Sequence, residues 1–426
     1  MSYKIWLQWI KSKPLTLKWF PILVLLRPII DNFYFLKETS PLLSPLYWVG
    51  ILTPILCIPA IFNKTYFKST SNTYFNVWSL LILINIIFLF FLPINLLSLM
   101  QWLLKITLPV YLMLFIRVFI RTRNDLLGIL TTFLYSCIFV LAIFLYELFF
   151  NPIKVEYSRG LERIQGGYAD IMNYAIYLSF GLLLAAFFYL SGKKNTNTLK
   201  ISASLLISIY LISFVVAIRI SHVATYAVMI MLTGMLFLFL FKQRKGVAVF
   251  FIVAVTSLVL YLGEDFYFSK IEPLVATEME VLEGDLPTYR MFHGRMSRWI
   301  YAWEPFSDSG VLAWLIGYSF ELENPLFHIG IGIHNDYLRV FFLTGIIGLF
   351  IYIGYFLSII KKAKYFNSES RFLLFGSILI LFLYSFSTTP TFYASLLYIL
   401  FSILSYFSQP LRAIYFLENA KNPGFR

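Results

Sequence analysis

The stretch LKISASLLISIYLISFVVAIRISHVATYAVMIMLTGMLFLFLF, residues 199–241, decides the fold class of this chain. It contains two apolar runs, 199–218 and 222–241, and each is about as long as the roughly 20 residues that an α-helix needs to cross a bilayer. Only a short turn that begins at Arg219 separates them. The stretch therefore predicts two membrane-spanning helices joined by a tight turn.

The composition of the whole chain supports the same conclusion. Of its 426 residues, 60% are hydrophobic and 13% are charged, which excludes a soluble globular protein. We predict an all-α polytopic membrane protein in which residues 1–426 form a single membrane domain with about twelve transmembrane helices. The spans are predicted at about 17–36, 46–62, 77–95, 99–119, 126–150, 169–190, 199–218, 222–241, 246–263, 335–360, 371–388 and 390–408.

Lysine and arginine residues predict the orientation of these spans. If the N-terminus is in the cytoplasm, the cytoplasmic segments hold 22 of the 34 Lys and Arg, and the outer segments hold nine. Membrane proteins keep positive charge on the cytoplasmic side, so we expect both the N- and C-termini there. The same rule accounts for the net charge of +13 without a nucleic-acid partner.

Three basic residues, Arg27, Lys105 and Arg339, lie within or at the edge of predicted spans. Charges in the membrane are costly, so each requires a partner or a role. Arg27 and Asp31 are one helical turn apart, which predicts an ion pair inside the bundle, with substrate contact as the alternative. Lys105 is expected to extend its side chain toward the interface.

The longest polar interruption covers residues 264–333, before the tenth span, and the charge pattern places it outside the cytoplasm. A loop of this length usually carries function, so we expect an extracytoplasmic catalytic loop that contains helix. Residues 287–303, PTYRMFHGRMSRWIYAW, have a helical period with an apolar stripe. The opposite side carries Arg290, Arg295 and Arg298. Two interpretations remain open: an interfacial helix that contacts membrane lipids, or a guanidinium cluster for a phosphorylated ligand.

Further candidate residues lie in other predicted outer segments. Arg159 and Arg163 precede a Gly-Gly pair in the loop before the sixth span, where a solvated turn is the alternative to a ligand contact. His334 is followed by Asn335 and Asp336 and opens a helix whose N-terminus faces outward. Exposed N–H groups at such a terminus favour anions.

These features together resemble the bacterial O-antigen ligase and polymerase superfamily, membrane glycosyltransferases that act on polyprenyl-diphosphate-linked glycans. The resemblance covers most of the chain: about twelve spans, the late outer loop, a GRxxxW motif at residues 294–299, and His-Asn followed by a helix with a GxxG turn at residues 345–348. One departure is Ile218-Arg219-Ile220-Ser221, where the family often has a Ser-Arg-Gly-like turn.

The resemblance implies an enzyme of the bacterial cytoplasmic (inner) membrane with an extracytoplasmic active site. Its diphosphate-binding residues would be Arg219, Arg290, Arg295 and Arg298. His334 would be catalytic, as the base for the acceptor hydroxyl. Glycan contacts would come from Arg159, Arg163, Asn335 and Asp336. No DxD-like carboxylate pair lies beside the arginines, so we expect a metal-independent glycosyltransferase without a cofactor.

The sequence is compatible with three functions. The first is a polymerase, which moves a growing glycan from its polyprenyl diphosphate donor onto a lipid-linked repeat unit and produces O-antigen, capsular or exopolysaccharide. The second is an O-antigen ligase, whose acceptor is a lipid A core or a protein. The third is a transporter or flippase for lipid-linked sugars, which predicts polar residues in many spans and short outer loops. The chain instead has apolar spans and a long outer loop, which favours the first two.

Overall fold

The computed structural model describes residues 1–62, 73–90, 96–150, 152–153, 155–158, 161–168, 170–192, 199–317 and 333–409. Most of these residues are helical. Strands β1 (Val155–Ser158) and β2 (Leu161–Ile164) pair as an antiparallel hairpin. The helices are α1 (Tyr3–Ser12), α2 (Leu15–Asn32), α3 (Phe35–Thr39), α4 (Pro45–Ile61), α5 (Thr73–Leu89), α6 (Leu96–Phe119), α7 (Arg123–Phe149), α8 (Ile171–Ser191), α9 (Ala203–Ile220), α10 (Val223–Gln243), α11 (Lys245–Phe266), α12 (Glu272–Glu283), α13 (Met291–Ser307), α14 (Val311–Ile316), α15 (Asp336–Ile360), α16 (Ser368–Ser387) and α17 (Ala394–Ser408).

The apolar helices identify an all-α membrane protein. Within the described ranges, 6 helices are long and apolar enough to cross a membrane: α7, α8, α9, α10, α15 and α16. Four shorter apolar helical segments accompany them, at Pro45–Ile61, Thr73–Ile87, Lys245–Tyr261 and Ala394–Ser408. A helix overlaps each of the predicted spans, and the number of helices that cross the membrane stays a prediction.

The helical pair at 199–241 has the predicted tight turn. Helix α9 begins after Ser202, whose hydroxyl accepts the Leu205 N–H at 3.2 Å, a standard N-cap bond. It ends at Ser221, which has a left-handed φ of 52°, and α10 begins at Val223. The two helices are therefore joined through Ser221 and His222 alone.

Helix α8 lies at the centre of the bundle. In its apolar window 89% of the residues are buried, compared with 39% in α9. It contacts α7, α9, α10, α16 and α17.

The predicted ion pair in α2 is confirmed. Arg27 Nε lies 2.7 Å from Asp31 Oδ1, and both side chains are largely buried. Arg27 Nη1 lies 3.5 Å from the Tyr398 hydroxyl, and the Tyr177 hydroxyl donates to Asp31 Oδ2 over 3.4 Å. These contacts join α2 to α8 and α17. Removing one partner of such a pair leaves an uncompensated buried charge, which is strongly destabilising.

Helix α15 bends at Gly345, where φ is 66°. A Cβ atom at Gly345 would lie 2.2 Å from the carbonyl group of Leu315 in α14. A Cβ atom at Gly317 would lie 2.3 Å from the carbonyl oxygen of Leu343. The two glycines thus let the backbones of α14 and α15 meet directly. Gly345 lies roughly 13 Å from the start of α15, at about 1.5 Å per residue. Helix α14 therefore packs against the side of α15 and not at its end, although α14 belongs to the predicted outer loop.

Candidate functional site

The arginine-bearing helix of the long loop starts later than its sequence pattern predicts. Residues 287–303 were expected to be helical, whereas α13 runs from Met291–Ser307 after a 3₁₀ turn, Thr288–Arg290. Its first turn is irregular, with a positive φ at Phe292 (50°) and Gly294 (74°). The Phe292 N–H donates to Glu278 Oε2 over 3.0 Å. This carboxylate of α12 therefore satisfies one of the N–H groups that a helix start leaves unpaired.

Aromatic packing holds α13 against the start of α15. The buried residues of this second core are Ala302, Phe306, Ala313, Ile333, Phe341 and Phe342. The ring of Phe306 lies 4.9 Å from that of Phe342, and Trp303 stacks on Phe341 at 6.1 Å. Burial of one such aromatic side chain contributes about 1.5–3 kcal/mol. Phe306 is fully buried, whereas Phe292, Ile300 and Trp303 of the predicted apolar stripe are exposed, so the interfacial interpretation of this helix stays open.

Trp299 connects α13 to the predicted catalytic histidine. Its indole Nε1–H donates to the carbonyl oxygen of Ile333 over 2.9 Å, and His334 is the next residue. Trp299 itself follows Arg298 directly in the sequence. The hydrogen bond therefore fixes the arginine-bearing turn of α13 beside the entry to α15.

Three arginines from two distant segments form what we call the arginine cluster: Arg163 of β2, and Arg295 and Arg298 of α13. Arg295 is half-buried. Desolvation lowers the pKa of its guanidinium group, Arg298 and Arg163 lower it further, and Glu278 acts in the opposite direction. Guanidinium groups stay protonated even when crowded. The cluster therefore concentrates positive charge beside the Glu278 carboxylate, and a multiply charged anion would relieve the repulsion between the arginines.

His222, which the sequence analysis did not select, lies next to the arginine cluster. Its Nδ1 is 2.9 Å from the Thr225 hydroxyl, and its ring stacks on Tyr384 with centroids 6.1 Å apart. Desolvation lowers the pKa of His222 to about 4; Asp170 opposes this shift, and Arg295 and Arg163 add to it. His222 is therefore neutral at physiological pH. Its position three residues after Arg219, in a predicted outer turn, was the only sequence signal for it.

His334 lies immediately before α15 and does not cap it. The N-cap is Asn335, whose side-chain oxygen accepts the Leu338 N–H at 3.0 Å. His334 itself has a left-handed φ of 49°, a conformation that destabilises a non-glycine residue by roughly 1–2 kcal/mol. Backbone strain of this kind is concentrated at functional sites. His334 is partly exposed.

Asn335 and Asp336, both predicted to contact the glycan, have structural partners. Asn335 provides the cap of α15, and Asp336 is fully buried. Asp336 Oδ1 accepts from Arg339 Nε at 2.6 Å and from the Thr391 hydroxyl at 2.8 Å. These bonds hold the first turn of α15 to the segment before α17. A glycan contact for either residue stays a prediction.

The remaining predicted residues lie outside this group. Arg219 is exposed on the last turn of α9, and Arg290 is exposed at the start of α13. The charges that shift the pKa of Arg295 are those of Arg298, Arg163 and Glu278. Arg159 lies outside the described residues. Diphosphate binding by Arg219 and Arg290, and glycan binding by Arg159, therefore stay predictions.

Comparison with known proteins does not identify a family. No protein-family model matches this chain, and no curated protein sequence matches it. The resemblance to the O-antigen ligase and polymerase superfamily consequently depends on the motifs, their order and the predicted topology.

Proposed function

We propose that this protein is a membrane glycosyltransferase that polymerises polyprenyl-diphosphate-linked oligosaccharide repeat units at the extracytoplasmic face of a bacterial cytoplasmic membrane. The arginine cluster carries the proposal, because it gathers three positive charges beside the entry to a strained histidine. Guanidinium groups bind phosphate oxygens through two parallel hydrogen bonds. Transfer from a glycosyl diphosphate uses both such a cluster and a nearby base.

The reaction needs little more than these groups. In the proposed step the bond between C1 of the donor sugar and its phosphate oxygen breaks, and the diphosphate leaves with the bonding electron pair. The arginine cluster stabilises the charge that develops on it. The acceptor hydroxyl oxygen bonds to C1, and its proton passes to the imidazole of His334.

Contacts between loops support the proposed topology of twelve spans with both termini in the cytoplasm. Arg163, His222 and Arg295 belong to three separate segments predicted to lie outside, and they are electrostatic neighbours. The side chain of Asn32, at the predicted outer end of α2, donates to the carbonyl oxygen of Gly166 in the turn after the hairpin. The predicted outer segments thus meet at one end of the bundle, as the topology requires.

The glycan profile of a strain that lacks this protein tests the polymerase assignment. We expect single lipid-linked repeat units to accumulate on the extracytoplasmic face, because assembly and export would continue without polymerisation. Electrophoresis and mass spectrometry of the lipid-linked fraction measure the chain length. Full-length polymer that is not attached to its final acceptor would indicate the ligase instead, and repeat units confined to the cytoplasmic leaflet would indicate a flippase.

Glycan transfer by the purified protein is expected to be insensitive to EDTA. The described part of the chain has no group of three or more His, Cys, Asp or Glu side chains that could hold a metal ion. In the proposed reaction, arginines supply the charge stabilisation that a divalent cation would otherwise provide. Transfer should be measured with and without chelator at constant ionic strength. Loss of activity that magnesium or manganese restores would contradict a metal-independent mechanism.

A further inference from the structure

His222 has a defined orientation at the predicted outer end of the bundle, although the reaction proposed above does not use it. It is the N-cap residue of α10, but its side chain caps no N–H group of that helix. Its Nδ1 instead lies 2.9 Å from the Thr225 hydroxyl, and its ring stacks on Tyr384. These two contacts fix the plane of the ring and engage one of its two nitrogens.

Hydrogen bonds behind the ring support this orientation. Tyr384 of α16 is fully buried, and its hydroxyl lies 2.7 Å from the Ser179 hydroxyl and 3.4 Å from the Thr225 hydroxyl. It also lies 3.1 Å from the carbonyl oxygen of Ala175 in α8. Helices α8, α10 and α16 therefore hold the imidazole of His222 together, and support of this kind preorganises a functional group.

The second ring nitrogen of His222, Nε2, is open to a ligand. It makes no hydrogen bond within the residues that the structure describes, and His222 keeps part of its surface accessible. A neutral imidazole has one donor nitrogen and one acceptor nitrogen. With the Thr225 hydroxyl as the donor to Nδ1, the ring proton lies on Nε2, which makes the open nitrogen a hydrogen-bond donor.

The surroundings of His222 place it on the bundle side of the arginine cluster. The charges that act on it are those of Asp170, Arg295 and Arg163, and Arg163 also acts on Tyr226, one turn further along α10. Strand β2, which carries Arg163, contacts α9, and α9 leads into His222 through a single residue. An anion bound by the arginines would therefore lie near the open nitrogen.

We propose that His222 donates a hydrogen bond from Nε2 to the diphosphate of the lipid-linked donor, beside the arginine cluster. The inference rests on the proposed function, in which the donor is a glycosyl diphosphate. A neutral imidazole adds a hydrogen-bond donor without adding positive charge to three arginines that already repel one another. The hydrogen bond strengthens as the diphosphate gains charge on leaving the sugar, and neutral imidazole groups act on developing oxyanions in this way. His222 is thus a binding residue and not the base.

Two substitutions at His222 separate hydrogen bonding from stacking. His222→Phe keeps an aromatic ring for Tyr384 and removes the donor, whereas His222→Gln keeps an N–H donor and removes the ring. The probe is a sugar-free polyprenyl diphosphate, titrated against the purified full-length protein in phosphatidylcholine nanodiscs. His222→Phe should bind it about 10- to 100-fold more weakly than the wild type, the usual effect of losing a hydrogen bond to a charged group, and His222→Gln should bind it within about threefold.

The matched control is Lys242→Gln, which changes an exposed lysine at the opposite end of α10 and should bind the probe like the wild type. A measurement on the wild type keeps the test valid even if His222→Phe does not fold. In protein that contains isotope-labelled histidine, the probe should shift the nuclear magnetic resonance signal of an imidazole nitrogen that is missing from His222→Gln. A signal that the probe leaves unchanged would overturn the inference.

The remaining outcomes of the titration also decide the question. Wild-type affinity in His222→Phe would refute the inference, and so would weak binding by His222→Gln, which would indicate that the ring serves only to stack. Phosphatidylglycerol should not displace the probe at equal concentration; equal displacement would indicate a general phospholipid site and overturn the proposal.

Transfer measurements separate failure of this inference from failure of the proposed function. Where transfer is active, His222→Phe should raise the KM for the donor at least tenfold and leave the KM for the acceptor unchanged. An unchanged donor KM would refute the inference alone. A wild-type protein that binds the probe through His222 but transfers no glycan would refute the proposed function alone.

Discussion

Replacing Arg295 by Ala is expected to abolish glycan transfer while the amount of folded protein in the membrane stays unchanged. Arg295 is a half-buried member of the arginine cluster, and Arg298 and Arg163 both lower the pKa of its guanidinium group. Loss of one preorganised group that stabilises transition-state charge reduces turnover by about 10²–10³-fold. Folding should not suffer, because the substitution removes repulsion between neighbouring guanidinium groups.

The test of Arg295 needs three variants measured in parallel. Arg295→Lys keeps the charge but loses the planar two-point geometry, so only partial recovery of transfer is expected. Arg371→Ala is the matched control, since Arg371 is an exposed arginine at the start of α16, on the side predicted to be cytoplasmic. Transfer should be measured on purified protein with a synthetic lipid-linked repeat unit, beside quantitation of each variant in membranes. Near-wild-type transfer by Arg295→Ala would remove Arg295 from the site.

The helices of this protein follow from its sequence because a bilayer imposes a simple rule. Every backbone polar group in hydrocarbon must be paired within its own segment, so an apolar run of sufficient length has to be helical. Short signals then set the helix ends: Ser202 caps α9, and Asn335 caps α15. The ion pair of Arg27 with Asp31 could also be predicted, since it depends only on helical spacing.

The site could be predicted only in part, because it depends on contacts between residues far apart in the sequence. Arg295 and Arg298 were identified from their helical pattern, but no local pattern indicates that Arg163 of a hairpin would join them. The neutral state of His222 likewise depends on burial and on charges from other segments. The later start of α13 goes with the 3₁₀ turn at Thr288–Arg290 and with the bond from the Phe292 N–H to Glu278 of α12, and a hydrophobic period predicts neither of them.

Removing the imidazole of His334 is expected to lower transfer by roughly 10²–10⁴-fold, the usual effect of losing a general base. Binding of the donor should remain close to wild type, because the arginine cluster and not His334 holds the diphosphate. The competing explanation is that His334 only supports the start of α15. The contacts described at the start of α15 are made by the next two residues: Asn335 makes the capping bond to the Leu338 N–H, and Asp336 makes the buried bonds to Arg339 and Thr391.

The choice of substitution decides how clearly the catalytic role of His334 can be tested. His334 has a left-handed backbone conformation, which asparagine tolerates better than alanine does, so His334→Asn removes the base with little added strain. Asn367→Ala serves as the matched control, because Asn367 caps α16 on the side predicted to be cytoplasmic, and loss of that cap should lower stability by about 1 kcal/mol without touching the site. Donor binding, transfer rate and thermal stability should be measured on the same purified samples. A folded His334→Asn protein that binds donor but does not transfer assigns the base to His334, whereas full transfer by that variant would exclude a catalytic role.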